Sequence, residues 1–282
     1  MRKSRLLAIM SALAVLVAMV LVVGCGSSDD DSSSSSSSSD SVSSELITEG
    51  TLTVGTDTPY PPFEFGKAPD YDGFDIDMTN AIAEKLGLET KYQDTAFDTI
   101  FTDVAQGKFD LVASASSITP ERQQTVNFSD PYYEAEQALL VAPGSDIKTV
   151  EDLAGKTVAA QDGTTGETFA NDETDAGQVR GFPNGPASIA ALVNGQAEAT
   201  IIDQPVAQDA LDKGQTGFEI ATTIPTGDIY GLALSKKSPE LLSAVNGALS
   251  ELKTDGGLDK IYQKWFKIDA PKAVINGTTK NP

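Results

Sequence analysis

Apolar and polar positions along this chain change rhythm three times. Leu6–Gly24 is almost wholly apolar behind Arg2, Lys3 and Arg5, the pattern of a secretory signal rather than of a fold element. Residues 26–44 carry Ser and Asp with a single apolar side chain, Val42. Such a stretch buries too little to fold and is expected to form a flexible tether of about 19 residues, spanning roughly 25 Å. From Leu46 onward, short apolar runs alternate with segments of helical period. Leu52-Thr53-Val54 and Glu89–Gln93 predict strands, and Phe109–Ala113 predicts a buried strand with Asp110 inside it. Asp75–Leu86 before Gly87 and Asp98–Gln106 before Gly107 predict helices. Alternating strands and helices imply an open α/β sheet, whose ligands sit at the strand C-terminal ends. Asp57 and Tyr60 follow one such strand and Ser114 another, so both loops can open on one crevice.

A second α/β set follows the extended segment Glu136–Ala142. Lys156–Ala160 and Ala197–Ile202 predict strands, while Glu167–Asn171 and Ala187–Val193 predict helices. Asp203-Gln204-Pro205 starts another helix, with Asp203 at the N-cap. Asp228–Leu234 is extended and returns the chain, and the helices Pro239–Leu252 and Leu258–Phe266 are expected to pack on the first set. Trp265 in the last of these reads as core packing, and the polar residues 269–282 as a tail.

Composition narrows the chemistry. The chain has 282 residues, 40% of them hydrophobic, enough for two modest domains. It has no His, which removes imidazole catalysis and His metal sites. Its one Cys removes an internal disulfide and a Cys-cluster zinc site. A formal charge of −21 argues against nucleic acid, which needs a basic surface. Neither a metal nor a cofactor is expected. The single Cys stands at the end of the apolar leader, in Leu21-Val22-Val23-Gly24-Cys25. That segment resembles a bacterial lipobox, so residues 1–24 are expected to be removed and Cys25 lipidated; a retained membrane-spanning helix is the alternative.

The most informative stretch is Ser114–Gln124. A buried strand ends in small hydroxyl residues, Thr119-Pro120 then opens a helical turn, and Arg122 stands within it. An Arg fork beside free backbone N–H groups holds a carboxylate well; a solvated Arg on a surface loop is the bland alternative.

Ser114–Thr119, Arg122-Gln123-Gln124 and Asn127–Tyr133, together with Gly55–Glu64 and Gly73–Asp77, resemble the polar amino acid-binding proteins of ABC importers, family three of the bacterial solute-binding proteins. The resemblance runs from about Leu46 to Ile268. It implies a two-lobe α/β fold of the type II periplasmic-binding-protein kind, with two strand crossings and the ligand cleft between the lobes. Lobe 1 would comprise residues 46–137 and 230–268, and lobe 2 residues 138–229, after a lipidated tether at 25–45. It also implies roles. Arg122, with the backbone N–H groups of Ser117 and Thr165, would hold an α-carboxylate; Thr165 stands at a helix N-terminus, which favours anions in its own right. Asp203 would hold the α-ammonium, one oxygen capping its helix and the other facing the ligand, with the Ser117 hydroxyl and the Ala115 carbonyl completing the cage. Tyr60 and Phe97 would flank the ligand side chain, although Phe97 also suits a core position. Asp57 would read the distal group beside Gln161, Ser114 and Ala115, and Asp162 would add a second carboxylate near the crevice. Ala115, Gln161 and Asp162 depart from the residues usual in the lysine/arginine/ornithine-binding members.

The expected function is therefore a lipid-anchored, extracytoplasmic, monomeric protein that binds a polar L-amino acid and delivers it to an ABC permease. The spare Asp57 beside two aromatic faces, and a chain with 41 acidic and 17 basic side chains from Cys25 on, point to arginine or lysine ahead of glutamine. The alternatives are a glutamine carrier and a cyclohexadienyl dehydratase-like enzyme, which shares the fold; no catalytic constellation is legible for the latter.

Overall fold

The computed structural model describes residues 41–277; the apolar leader, Cys25, the tether up to residue 40 and the last five residues lie outside them. Among the described residues no helix is long and apolar enough to cross a membrane.

Two five-stranded sheets form two lobes. In lobe 1 the strands are β1 (Thr51–Thr56), β4 (Glu89–Asp94), β5 (Leu111–Val112), β6 (Val126–Phe128) and β12 (Ala233–Ser235), in the order β4-β1-β5-β12-β6. In lobe 2 they are β7 (Tyr133–Val141), β8 (Thr157–Gln161), β9 (Gln178–Phe182), β10 (Ala199–Asp203) and β11 (Glu219–Tyr230), in the order β11-β7-β10-β8-β9. A small hairpin of β2 (Phe65–Lys67) and β3 (Asp70–Asp72) stands apart. β1 runs parallel to β4 and β5, and β8 parallel to β9 and β10. The C-terminal ends of each parallel set therefore share one edge of their sheet, where ligands of open α/β sheets bind.

Among the described residues the chain crosses between lobes twice, through β7 and β11, which pair antiparallel from Glu219↔Val141 to Tyr230↔Tyr133 with register shifts between Ile220 and Thr222 and between Ile224 and Asp228. β7 ends in the unbroken apolar run Ala138–Val141 because both of its faces are covered. Leu139 and Val141 pack with Val158, Ala170 and Ile201, while Ala138 and Leu140 join the large cluster that contains Ile189 and Val206. At the lobe-1 end of the crossings Tyr133 and Tyr230 stack with centroids 5.4 Å apart, and Tyr133 stacks on Tyr262 at 5.6 Å. Phe63, Phe74 and Phe266 close this aromatic knot around the strand bases.

Helices Phe74–Leu86, Phe97–Ala105, Pro239–Thr254 and Gly257–Phe266 cover lobe 1; Thr165–Asp172, Gly185–Val193 and Gln204–Asp212 cover lobe 2. Gly87 ends the first of these in the left-handed region, at φ 69°, where a side chain would be strained.

Two terminal segments behave differently from their sequence reading. Residues 41–45, expected within the tether, are helical. Val42 packs on the core, and the Glu45 carboxylate accepts from the backbone N–H groups of Glu240 and Leu241 at 3.3 and 2.7 Å, capping a helix that has no side-chain cap of its own. At the other end Ala270 and Val274, expected in the polar tail, are buried in the main core. Both segments are held by partners about 200 residues away or by an apolar groove, which local composition does not show.

Candidate functional site

Between the lobes lies a narrow cavity lined by Asp57, Tyr60, Glu64, Phe97, Ser114, Ala115, Ser117, Arg122, Gln161, Thr164, Thr165 and Asp203. Ten residues singled out in the sequence for the ligand lie together there; Asp162 does not. Two others, Glu64 and Thr164, join them.

Lobe 1 supplies the loops after β1 and β5. The backbone N–H of Asp57 donates to Ser114 Oγ at 3.0 Å, and that hydroxyl donates to Glu64 Oε1 at 2.9 Å, tying the two loops together. Ala115 has φ 41°, an unfavourable left-handed conformation for a residue with a Cβ. It is held by Asp75, whose Oδ2 accepts from the Ala115 N–H at 2.8 Å and from the Tyr132 hydroxyl at 2.8 Å. Thr119 Oγ1 accepts from the backbone N–H of Arg122 at 3.1 Å, the capping bond expected at this turn. The Arg122 guanidinium then reaches back, donating from Nη1 to the Ser117 carbonyl at 2.7 Å and from Nη2 to the Gly163 carbonyl of lobe 2 at 3.0 Å. It lies 4.6 Å over the Phe101 ring and 5.2 Å over Phe97. Burial lowers its pKa to about 10, which leaves it charged at neutral pH. Two of its five N–H donors are used in these contacts, so others remain for a carboxylate.

Lobe 2 supplies the ends of β8 and β10 and the turn into helix Thr165–Asp172, where Thr164 Oγ1 accepts from the Glu167 N–H at 3.2 Å. Asp203 ends β10 and is buried. Its Oδ2 accepts from the hydroxyls of Tyr60 and Tyr230, each at 2.7 Å, and its Oδ1 from Gln137 Nε2. The expected cap is absent: the Asp203 side chain makes no capping bond to the helix that follows it. The side-chain donors of Tyr60, Tyr230 and Gln137 occupy both oxygens in place of the helix N–H groups. Burial, with Asp228 nearby, pushes Asp203 up to about 6.

At the far end of the cavity Asp57 Oδ2 accepts from Gln161 Nε2 at 2.5 Å. Burial, with Asp94 and Asp98 adding to it, pushes Asp57 up to about 7. Glu64 is fully buried, and that burial pushes its pKa well up, with Asp75 adding to the effect. Glu64 Oε2 and Gln161 Oε1 are buried acceptors without a hydrogen-bond partner among the described residues. Glu64 was missed in the sequence because a charged residue inside Pro62-Phe63-Glu64-Phe65 gives no period to read; its only signal is a carboxylate in an otherwise apolar run. Asp162, expected near the crevice, instead turns over Gly181, where a Cβ would come within 1.6 Å of its Oδ1. It does not line the cavity: it stands in the turn after β8, its backbone N–H donating to the Phe182 carbonyl at 2.9 Å.

The lobes are closed on each other. Tyr60 to Asp203, Gln161 to Asp57, Arg122 to the Gly163 carbonyl, and a 3.5 Å contact between the Ser117 and Thr165 hydroxyls all cross the cleft. Gly185 allows this approach: a Cβ there would stand 2.8 Å from the Tyr60 ring.

A profile of the bacterial extracellular solute-binding proteins, family 3, matches residues 52–268. The lysine/arginine/ornithine-binding periplasmic protein of Escherichia coli (strain K12) is 33% identical over 240 residues, covering 81% of this chain and 92% of the relative. The ABC transporter glutamine-binding protein GlnH of Bacillus subtilis (strain 168) is 31% identical over 264 residues, covering 92% of this chain and 96% of the relative. An ancestral arginine-binding protein, solved with arginine and also with glutamine, is 40% identical with a TM-score of 0.73; the two structures cover 77% and 78% of this chain and 99% of theirs.

Proposed function

This chain belongs to the family 3 bacterial extracellular solute-binding proteins, and from that premise we propose that it captures a basic L-amino acid, arginine or lysine, and delivers it to an ABC permease. Members of the family are extracytoplasmic, and the Val22-Val23-Gly24-Cys25 segment supports a lipid anchor at Cys25. Mass spectrometry of the membrane fraction should find the mature chain starting at a diacylated Cys25; an unmodified Cys25 would overturn that part.

The grip on the α-amino acid uses opposite charges from opposite lobes. Arg122 and the N–H groups at Ser117 and Thr165 receive the carboxylate; Asp203, the Ser117 hydroxyl and the Ala115 carbonyl receive the ammonium. A buried zwitterion left with one end unpaired costs several kcal/mol, so the closed form is favoured when both ends are met. Tyr60 and Phe97 form the walls along the side chain.

The observation that carries the choice of ligand is the surplus of acceptors at the far end. Gln161 Oε1 lacks a partner beside the Asp57 carboxylate. A guanidinium offers five N–H donors and an ammonium three, with no acceptor; an amide offers two donors and brings a carbonyl that these oxygens would repel. A second reading, a glutamine carrier, is favoured by the raised pKa of Asp57, since a protonated carboxyl can donate to an amide carbonyl.

The two readings differ in their pH dependence. A cationic head group binds ionised Asp57, so its affinity should be highest above pH 7 and fall as pH drops through about 7; glutamine, accepting from the protonated carboxyl, should bind more tightly as pH drops through the same range. Calorimetry with arginine, lysine, ornithine, glutamine and glutamate at pH 6 and 8, on wild type and Asp57→Asn, tests this. Glutamine binding roughly tenfold tighter than arginine and lysine, or basic-ligand affinity untouched by Asp57→Asn, would overturn the cationic reading.

A further inference from the structure

Gln137 lies on the first crossing strand and is fully buried. The antiparallel register sets it opposite Asp203 of β10 on one side and Ile224 of β11 on the other. The register shift in β11 between Ile224 and Asp228 brings a second carboxylate to the same place. Gln137 Nε2 accordingly contacts three acceptors: Asp203 Oδ1 at short range, Asp228 Oδ2 at 3.3 Å and Thr165 Oγ1 at 3.4 Å. Charge sets the orientation of the amide, because the reverse orientation would turn its carbonyl toward two carboxylates. In the orientation adopted, Oε1 lies where a Cβ on Gly166 would come within 2.9 Å of it and has no hydrogen-bond partner among the described residues. One side chain on a crossing strand thus touches both the ammonium side and the carboxylate side of the lobe-2 grip.

We propose that Gln137 is a positioning residue for α-amino acid recognition: by standing between Asp203 and Asp228 it aims the Asp203 carboxylate at the cavity and keeps it an anion for the ligand α-ammonium. The inference rests on the reading of Asp203 as the ammonium anchor. The Tyr60 and Tyr230 hydroxyls occupy the other Asp203 oxygen, so Oδ1 answers to Gln137 alone among the described residues. The ionisable groups facing Asp203 are Asp228, Tyr230 and, from lobe 1 and the strand crossings, Tyr60, Glu64, Tyr133 and Arg122. Burial and Asp228 favour the protonated form of Asp203, and the hydrogen bonds from Tyr230, Tyr60 and Gln137 oppose them. Removing the amide leaves two carboxylates facing each other, and like charges at such a site raise a pKa.

The test compares L-arginine with 5-guanidinopentanoate, the same molecule without the α-ammonium, by calorimetry at pH 8 and pH 6. The proteins are wild type, Gln137→Met, Asp203→Asn, Asp228→Asn and the double variant Gln137→Met/Asp228→Asn. Gln137→Met should weaken arginine about tenfold at pH 8, the size expected for a charge-assisted hydrogen bond, and further at pH 6. 5-Guanidinopentanoate should lose less than about threefold, so the preference for the α-ammonium collapses. Adding Asp228→Asn removes the facing charge and should restore much of the arginine affinity, which a purely structural role for Gln137 would not allow; this double variant also serves should Gln137→Met fold poorly. Equal losses for the two ligands, or no loss, would overturn the inference while Asp203→Asn still collapses the preference. If Asp203→Asn leaves the preference intact, the anchor reading itself fails, and this inference with it. Should wild type prefer glutamine, L-glutamine and glutaramate replace the pair without changing the logic.

Discussion

At the scale of single residues the cleft is governed by a shortage of counter-charges. Among the described residues Arg122 is the one cation lining a cavity that also carries Asp57, Glu64 and Asp203. If it receives the α-carboxylate, Arg122→Ala should cost roughly 3–5 kcal/mol of binding, because the ligand anion is then buried unpaired. Arg122→Lys should also be poor: the guanidinium contacts the Ser117 and Gly163 carbonyls together, and a point charge cannot reproduce that fork. Calorimetry giving less than about a tenfold loss for Arg122→Ala would refute the role. Residue types legible in the sequence were those whose chemistry belongs to a strand end, such as Asp57 and Ser114. Glu64, Gln137 and Tyr230 were not legible as parts of the site. The role of each comes from partners 50, 66 and 27 residues away in the chain.

At the scale of elements, periodicity located most of the strands and helices that flank the cleft, with ends that moved by one to three residues; the extended segment expected over 228–234 is instead the end of β11, which starts at Glu219, and the separate strand Ala233–Ser235. The helix expected over 75–86 spans Phe74–Leu86, and the strand expected over 89–93 spans Glu89–Asp94. The strand expected over 109–113 is reduced to Leu111–Val112, although the N–H groups of Asp110 and Ala113 still donate to the Thr53 and Gly55 carbonyls of β1 at 2.8 and 3.1 Å, and the Asp110 carboxylate accepts from the N–H groups of Ile47 and Thr53 at 2.8 and 2.6 Å. β9 was missed, since Gln178–Phe182 is a half-exposed edge strand with little apolar content. The capping of helix Pro239–Thr254 by Glu45 is likewise invisible locally. Glu45→Ala should lower stability by about 1 kcal/mol, the usual worth of a helix cap. It should leave ligand affinity unchanged. Urea unfolding followed by circular dichroism measures the first and calorimetry the second; an unchanged midpoint would show that the cap contributes nothing.

At the scale of the whole molecule, closure and acidity act together. Asp57, Asp75 and Asp203 are pushed up to about 7, 7 and 6 by burial, and Glu64 in the same direction. The folded chain therefore holds protons that the unfolded chain releases near pH 4. A group of this kind favours the folded state at low pH, and its contribution is lost as pH rises toward the folded pKa. The ligand-free protein should thus melt at a lower temperature at pH 8 than at pH 5.5. A bound cation should narrow that gap by compensating the ionised carboxylates. Thermal unfolding with and without arginine checks both parts. A ligand-free midpoint that rises with pH over this range would contradict the burial of these groups.

The amino-acid sequence by itself determined the α/β class, the order of most elements and the loops that meet at the cleft, because each depends on side-chain period and on residues next to one another in the chain. Tertiary structure alone decided what those loops do to one another. It directed the Asp203 carboxylate to Tyr60, Tyr230 and Gln137 instead of to its own helix. It turned Asp162 away from the cavity, and it buried Glu64 beside Asp57 with an oxygen left over. The reason is physical: hydrogen-bond partners and desolvation are set by what lies across the cleft and across the sheet, and that distance is not written in the local order of residues.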